Sequence, residues 1–300
     1  MKLIEIQWIS DEESLKVALQ NCLNCSGQLL KRHFSSKQLS RPVYSRDIFN
    51  LPIDLVNHLL INPGFVGPQA KVLWENENYL AIHKPAGIHS HPLCYSDQDT
   101  SINYLAQQGI WAPLEVNKSS YDRGLLYRLD YETSGVLVFA KKNDLFVKLR
   151  ENFQTQMKRK LYWAIVDGSF DQEGVWQHYF RASGIKGAKQ KVDFNPHADA
   201  DLGILKVVKL LEANGKSLLM IDLKSGLRHQ IRAQLAALGF PILGDELYGG
   251  KKAERLFLHA WRYEWTETIE DQEAELFGIF FDLNSALEVA HDVLRVFKSI

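Results

Sequence analysis

Arg128 and Asp130 stand two residues apart at the head of the apolar run 136–140, within the stretch YRLDYETSGVLVFAKK. A carboxylate at such a place can attack a substrate or act as a general base while it is ionised, and a neighbouring guanidinium favours that form. The same two residues can also make a local ion pair at a strand edge. A second pair of cations, Arg228 and Arg232, sits at the head of the helical pattern HQIRAQLAALGFP. Cations four residues apart repel, and they oppose the positive end of the helix dipole. They call for an anion: Asp130 within the chain, or a phosphate outside it. A solvated pair is the alternative, at a cost of a few tenths of a kcal/mol. Tyr162 follows Lys158, Arg159 and Lys160 in KRKLYWAIVDG. A basic cluster before Tyr and Trp can track a phosphate backbone and stack a base, and strand alternation can equally make Tyr162 a core aromatic.

Other residue types suggest less. His89 and His91, one residue apart, have a spacing that metals accept, with His83 nearby. No further ligand or acidic base follows at a recognisable spacing, so a metal-dependent hydrolase is disfavoured. Cys22 and Cys25 form a CxxC without a second pair. Neither a GxGxxG nor a P-loop pattern occurs, so nothing points to a nucleotide cofactor.

The elements that must position these residues read mainly as strands. KVLW and YLAIHK flank a polar turn and predict a hairpin that ends at Lys84-Pro85-Ala86-Gly87. SGVLVFAK reads as a buried strand, followed by a helix over DLFVKLRENFQ with Asn143 as its cap. KLYWAIVDG, VWQHYFRA, KVDFNP and RLFLHAWRYEW are further strands, and Asn214-Gly215 between two apolar runs predicts a tight hairpin. The HQIR helix should end at Gly239, with Pro241 beyond it. SALEVAHDVLRVF predicts a terminal helix capped by Ser285. Many hairpin strands with few helices predict an α+β fold with a mixed, mainly antiparallel central sheet flanked by helices and loops.

Residues 1–68 read as a separate N-terminal extension, with helical stretches at 13–23 and 29–34 and a Pro/Gly exit at Asn62-Pro63-Gly64 through Gly67-Pro68. Residues 69–300 then form the main domain, with an acidic tail. The net charge of −1 hides a segregation: residues 123–160 hold nine Lys/Arg against four Asp/Glu, and residues 233–300 hold six against twelve. A chain so divided can present a basic face while its total is near zero. Three cysteines leave one unpaired in any disulfide scheme, and the start MKLIEIQWISDEESLK lacks a secretory apolar core. Both features predict a reducing cytoplasm, and no apolar run is long enough for a membrane span. Nothing reads as a coiled coil or a large exposed apolar helix face, so a monomer is expected.

RLDYETSGVLVFAK resembles the signature of RluA-type pseudouridine synthases. The leading hairpin with Lys84, Pro85 and Gly87, the strand LYWAIVDG, the block LKSGLRHQIRAQLAALGFPILGDELYGG and the strand LFLHAWRYEW resemble further blocks of that family, in its order. The resemblance implies the pseudouridine synthase fold and isomerisation of uridine to pseudouridine in ribosomal or transfer RNA. It assigns Asp130 as the catalytic aspartate and Arg128 as the residue that helps extrude the uridine. Tyr162 would stack on the flipped base and Arg232 would pair with Asp130, with Arg228 and Ile231 of the same motif as further substrate contacts. The chemistry transfers no group and changes no oxidation state, so neither metal nor cofactor is implied. Flipping favours single-stranded or strained RNA. Some relatives carry a small RNA-binding module where residues 1–68 stand, so this segment is either an extension or a degenerate version of that module. Two departures within the motifs stand out: Tyr127 where the family has His, and Gly226-Leu227-Arg228 where it has Gly-Arg-Thr. They leave room for a catalytically inactive RNA-binding protein on the same fold.

Overall fold

Short apolar runs bounded by turn residues call for a buried sheet, and the sheet is there. The computed structural model describes residues 2–23, 25–152, 157–184, 189–196 and 198–265. The terminal helix expected after Ser285 lies outside the described residues. The chain divides into two compact units, Met1–Val66 with His91–Arg123, and Gly67–Ser90 with Gly124–Ile300.

In the first unit, strands β1 (Leu3–Gln7) and β2 (Ile48–Pro52) pair antiparallel. Helices α1 (Leu15–Leu23), α2 (Gly27–Leu30), α3 (Ser36–Leu39) and α4 (Ile53–Val56) accompany them. Leu19, Leu30, Leu51 and Leu55 form the centre of this unit's core. The helix expected at 29–34 is shorter and earlier than its apolar spacing suggests, because Ser26 caps it through Leu29 N. Helix α5 (Ser101–Gln107) is capped by Thr100, whose hydroxyl accepts from Asn103 N at 3.2 Å.

The second unit holds a nine-stranded sheet. Its members are β3 (Lys71–Glu75), β4 (Tyr79–Lys84), β5 (Ser134–Ala140), β6 (Met157–Asp167), β7 (Gly174–Ser183), β8 (Lys189–Asp193), β9 (Asp201–Ala213), β10 (Lys216–Leu223) and β11 (Leu258–Trp265). Their spatial order is β3-β4-β5-β11-β6-β10-β9-β7-β8. Every pairing is antiparallel except β5 with β11. Asn214 and Gly215 both adopt positive φ, 52° and 69°, the primed turn that matches strand twist. Helix α6 (Asn143–Glu151) follows β5, but Asn143 is its first residue and the side chain of Lys142 before it makes no cap. Helix α7 (Gln230–Ala237) carries the HQIR motif, and Gly239 beyond it has φ 87°.

All seven residues of β5 are buried, as expected for a strand covered on both faces. At its start the two parallel strands approach so closely that a Cβ on Gly135 would lie 2.3 Å from Ala260 O, at φ 129°. Neither strand can yield without breaking the centre of the sheet. Gly135→Ala is therefore expected to lower stability by at least about 4 kcal/mol or to prevent folding, read by thermal unfolding. A fall in melting temperature of only a degree or two would show that the strands can separate.

Candidate active site

Asp130 sits in the turn that leads into β5, and its neighbours' backbone is held from three sides. Ser90 clamps Leu129: its hydroxyl donates to Leu129 O at 2.8 Å and accepts from Leu129 N at 2.9 Å. Tyr131 O accepts from Gly87 N at 2.9 Å and from Lys84 Nζ at 3.3 Å. Thr133 N closes the turn on Asp130 O at 3.1 Å. The KPAG loop after β4 is thus the support of the Asp130 turn. The side chain of Asp130 stays about one-third accessible (34%). Arg128 is exposed, and among the described residues no ion pair joins it to Asp130. That removes the local ion pair as the reason for their proximity.

Lys84 itself is fully buried, and its ammonium also donates to Pro85 O at 3.0 Å and Ile88 O at 2.8 Å. Burial pushes its pKa down to about 7, against the opposing pull of Asp130 and then Glu132. The unfolded lysine keeps its proton to above pH 10, so between pH 7 and that point the unfolded state binds more protons. Stability from this group therefore rises with pH. From pH 7 to pH 9 the parent is expected to gain about 2 kcal/mol relative to Lys84→Met, measured by urea unfolding at both pH values. A constant difference between the two proteins would refute it.

Tyr162 lies on β6, and its hydroxyl meets that of Tyr263 on β11. Burial raises the Tyr162 pKa, the bond to Tyr263 opposes this, and the charge of Asp130 raises it further. Tyr127 stacks on Tyr263 at 4.0 Å with planes 14° apart, and its hydroxyl donates to Val136 O at 3.2 Å. The departure at position 127 is thus a core aromatic under the site.

One expectation is corrected. Arg232 does not take Asp130 as its partner. Its Nε donates to Asp245 Oδ2 and its Nη2 to Asp245 Oδ1, both at 2.8 Å, and Nη1 reaches Glu132 Oε2 at 3.3 Å. Asp245 lies in the loop after α7, just before a 3-10 helix, Glu246–Tyr248. The fork of a guanidinium matches one carboxylate edge-on, and a fully buried Asp245 leaves it no better choice. Burial works against the Arg232 charge, but Asp245 raises its pKa overall. Arg228 lies outside the helix and is exposed, whereas Ile231 is buried. Leu227, the second departure, uses only its backbone here, N–H to Gln230 Oε1 at 3.1 Å.

His229 is the residue that sequence reasoning missed. It precedes α7 in a left-handed conformation, φ 52° and ψ 21°, and its side chain makes no helix cap. Its Nε2 instead lies 4.0 Å from Asp130 Oδ2, and its Nδ1 is 3.2 Å from the Tyr248 hydroxyl. Burial lowers its pKa, the charge of Asp130 opposes that, and Arg232 and Arg228 add to the lowering. The one available signal was its place beside Gln230, a buried hub. The Gln230 amide accepts from Ser225 Oγ at 2.8 Å and donates to Ile204 O at 3.2 Å.

His89 packs against the Tyr131 ring at 4.6 Å, and His91 Nδ1 bonds Pro92 O at 2.8 Å. Among the described residues no three His, Cys, Asp or Glu are grouped to hold a metal. The arrangement is a half-buried carboxylate on a rigid turn, bordered by an imidazole, a tyrosine and exposed cations. It suits nucleophilic or general-base chemistry on a polar substrate.

Comparison with known proteins agrees. The family described as RNA pseudouridylate synthase matches over residues 78–237. Ribosomal large subunit pseudouridine synthase D of Borreliella burgdorferi is 31% identical, across 77% of this chain and 72% of that protein. Ribosomal large subunit pseudouridine synthase C of Rickettsia prowazekii is 30% identical, across 78% and 77%. The solved structure of human RNA pseudouridylate synthase domain containing 1 covers 75% of this chain and 98% of its own, with a TM-score of 0.51 and 17% identity, a likeness of fold. The chain therefore belongs to the RNA pseudouridylate synthase family, enzymes that isomerise uridine to pseudouridine in RNA.

Proposed function

We propose that this enzyme modifies uridine in large-subunit ribosomal RNA, with Asp130 as the reacting carboxylate. The observation that carries the reading is the Asp130 turn: its backbone is pinned by Ser90, Lys84 and Gly87, while its carboxylate stays accessible. Rigid support and an open reacting group are what positioning catalysis requires. The two relatives are named for the large ribosomal subunit, which supports that substrate class.

In this reading the target uridine leaves its stack, a cost of a few kcal/mol that a loop reduces. Arg128, exposed two residues before Asp130, fills the gap left behind. Tyr162 flanks the flipped uracil, and Arg228 offers a charge to a phosphate at the rim. Arg232 and Ile231 shape the wall from within α7. The carboxylate assists the break of N1–C1′, either by attack at C1′ or by drawing off a ribose proton. The uracil then turns and C5 bonds to C1′, as the Asp130–C1′ bond breaks or the ribose proton is returned; C5 loses its proton and N1 gains one. Substrate and product are isomers, so the atoms balance with no metal or cofactor.

All of these groups lie in the unit Gly67–Ser90 with Gly124–Ile300, which supports a catalytic domain within 69–300, whereas His91–Arg123 group with the N-terminal residues. Free cysteines fit a cytoplasmic enzyme, and among the described residues no helix is long and apolar enough to cross a membrane. The test is tritium release from RNA labelled at uridine C5, without added metal. Release from large-subunit ribosomal RNA and none from transfer RNA is expected. The reverse pattern would move the substrate to transfer RNA, and RNA binding without release from either would favour a binding protein.

A further inference from the structure

The space between His229 and Asp130 has a chemistry of its own. Tyr248 is the partner of the imidazole's other nitrogen. Its hydroxyl accepts from Gln190 N at 2.9 Å and lies 3.2 Å from His229 Nδ1. We take the hydroxyl to donate to Nδ1, which leaves the hydrogen of the neutral imidazole on Nε2. That N–H faces a carboxylate oxygen across 4.0 Å, too far for a direct hydrogen bond. A single oxygen atom about 2.8 Å from both partners fits across that gap. It must accept from Nε2–H and donate to the carboxylate.

Within an RNA strand only one group does both. Uracil offers carbonyl acceptors and an N–H donor, but no atom with both capacities. The phosphates only accept. The ribose 2′-hydroxyl is donor and acceptor together, and it is the group that distinguishes RNA from DNA. The left-handed backbone at His229 is what turns the ring toward Asp130 instead of over the helix end. Such conformations are retained where the site requires them.

We propose that His229 and Asp130 together hold the 2′-hydroxyl of the target uridine, so that His229 determines the preference of the site for ribose. The inference rests on the reading of Asp130 as the reacting carboxylate. Holding O2′ also fixes the adjacent C1′ and C2′ against Asp130, where the reaction takes place.

The probe is the ribosomal RNA fragment in which the parent forms pseudouridine, made with either uridine or 2′-deoxyuridine at that position. Affinities are measured by competition for the parent, His229→Ala and His229→Gln. A Gln amide nitrogen can occupy the place of Nε2 and donate as it does. The parent is expected to prefer the ribose form by about tenfold or more, the size of one hydrogen bond to a charged group. His229→Ala is expected to lose that preference, and His229→Gln to keep most of it. Equal affinities in the parent would overturn the proposal, as would an undiminished preference in His229→Ala, which a bridging water would produce. If His229→Ala does not fold, His229→Gln decides: loss of the preference there also overturns it. Asp130→Ala is assayed for pseudouridine on the same fragment. Activity in that variant would sink the reading of Asp130. An inactive Asp130→Ala alongside an unchanged preference in His229→Ala would sink this inference alone.

Discussion

Asp130→Asn is expected to bind RNA and fold like the parent while its single-turnover rate falls at least about 10⁴-fold, the scale on which removal of a reacting group acts. Both halves of this expectation follow from the geometry. The Asp130 side chain is about one-third accessible, and the His229 imidazole lies 4.0 Å away, beyond a direct hydrogen bond. Its turn is held by Ser90, Lys84 and Gly87 through the backbone of residues 129 and 131. An amide of the same shape disturbs none of those bonds, so the stability change should stay within about 1 kcal/mol. What the amide lacks is the negative charge and basicity that the chemistry needs. Pseudouridine formed in one turnover can be read by tritium release or by mass spectrometry of the digested RNA. A rate within tenfold of the parent would remove Asp130 from the reaction.

Arg232→Met and Asp245→Leu should each cost about 3–5 kcal/mol in stability: the first leaves Asp245 buried and unpaired, and the second leaves the buried guanidinium only the exposed Glu132 at 3.3 Å. The pair is nearly inaccessible on both sides, with two bonds of 2.8 Å, and the Arg232 guanidinium also lies 5.5 Å from the centre of the Tyr248 ring. The double variant should recover much of the loss, since an apolar pair of similar volume avoids the desolvation of both ions. Urea unfolding of the four proteins closes the cycle. If Arg232 instead answered mainly to Asp130, Asp245→Leu alone would be nearly neutral. The activity of the double variant separates two roles. Tyr248 orients His229 and packs against Arg232, so a stable double variant with poor turnover would mean that the pair also sets the geometry of the site.

The strands and turns were legible because their signals are contiguous. The short apolar runs at 79–84 and 134–140, the Asn214-Gly215 turn and the Gly239 stop each depend on residues a few positions apart. The same holds for the family motifs, each of which is a run of neighbouring residues. Local errors had local causes. Asn143 reads as a cap but begins the helix. Arg228 reads as part of the helix, but the left-handed turn at His229 excludes it.

By itself, then, the sequence determined the class of fold and the reaction, because these are written in short motifs whose chemistry is local. Only the tertiary structure decided the partners. Arg232 chose Asp245, thirteen residues on, and Glu132, a hundred residues back, over Asp130. Charge counting cannot rank those carboxylates, since the choice depends on burial and on the fork geometry of the guanidinium. The same reason hid His229. Its role depends on a backbone conformation and on Tyr248 across the loop, and neither is visible until the chain has folded.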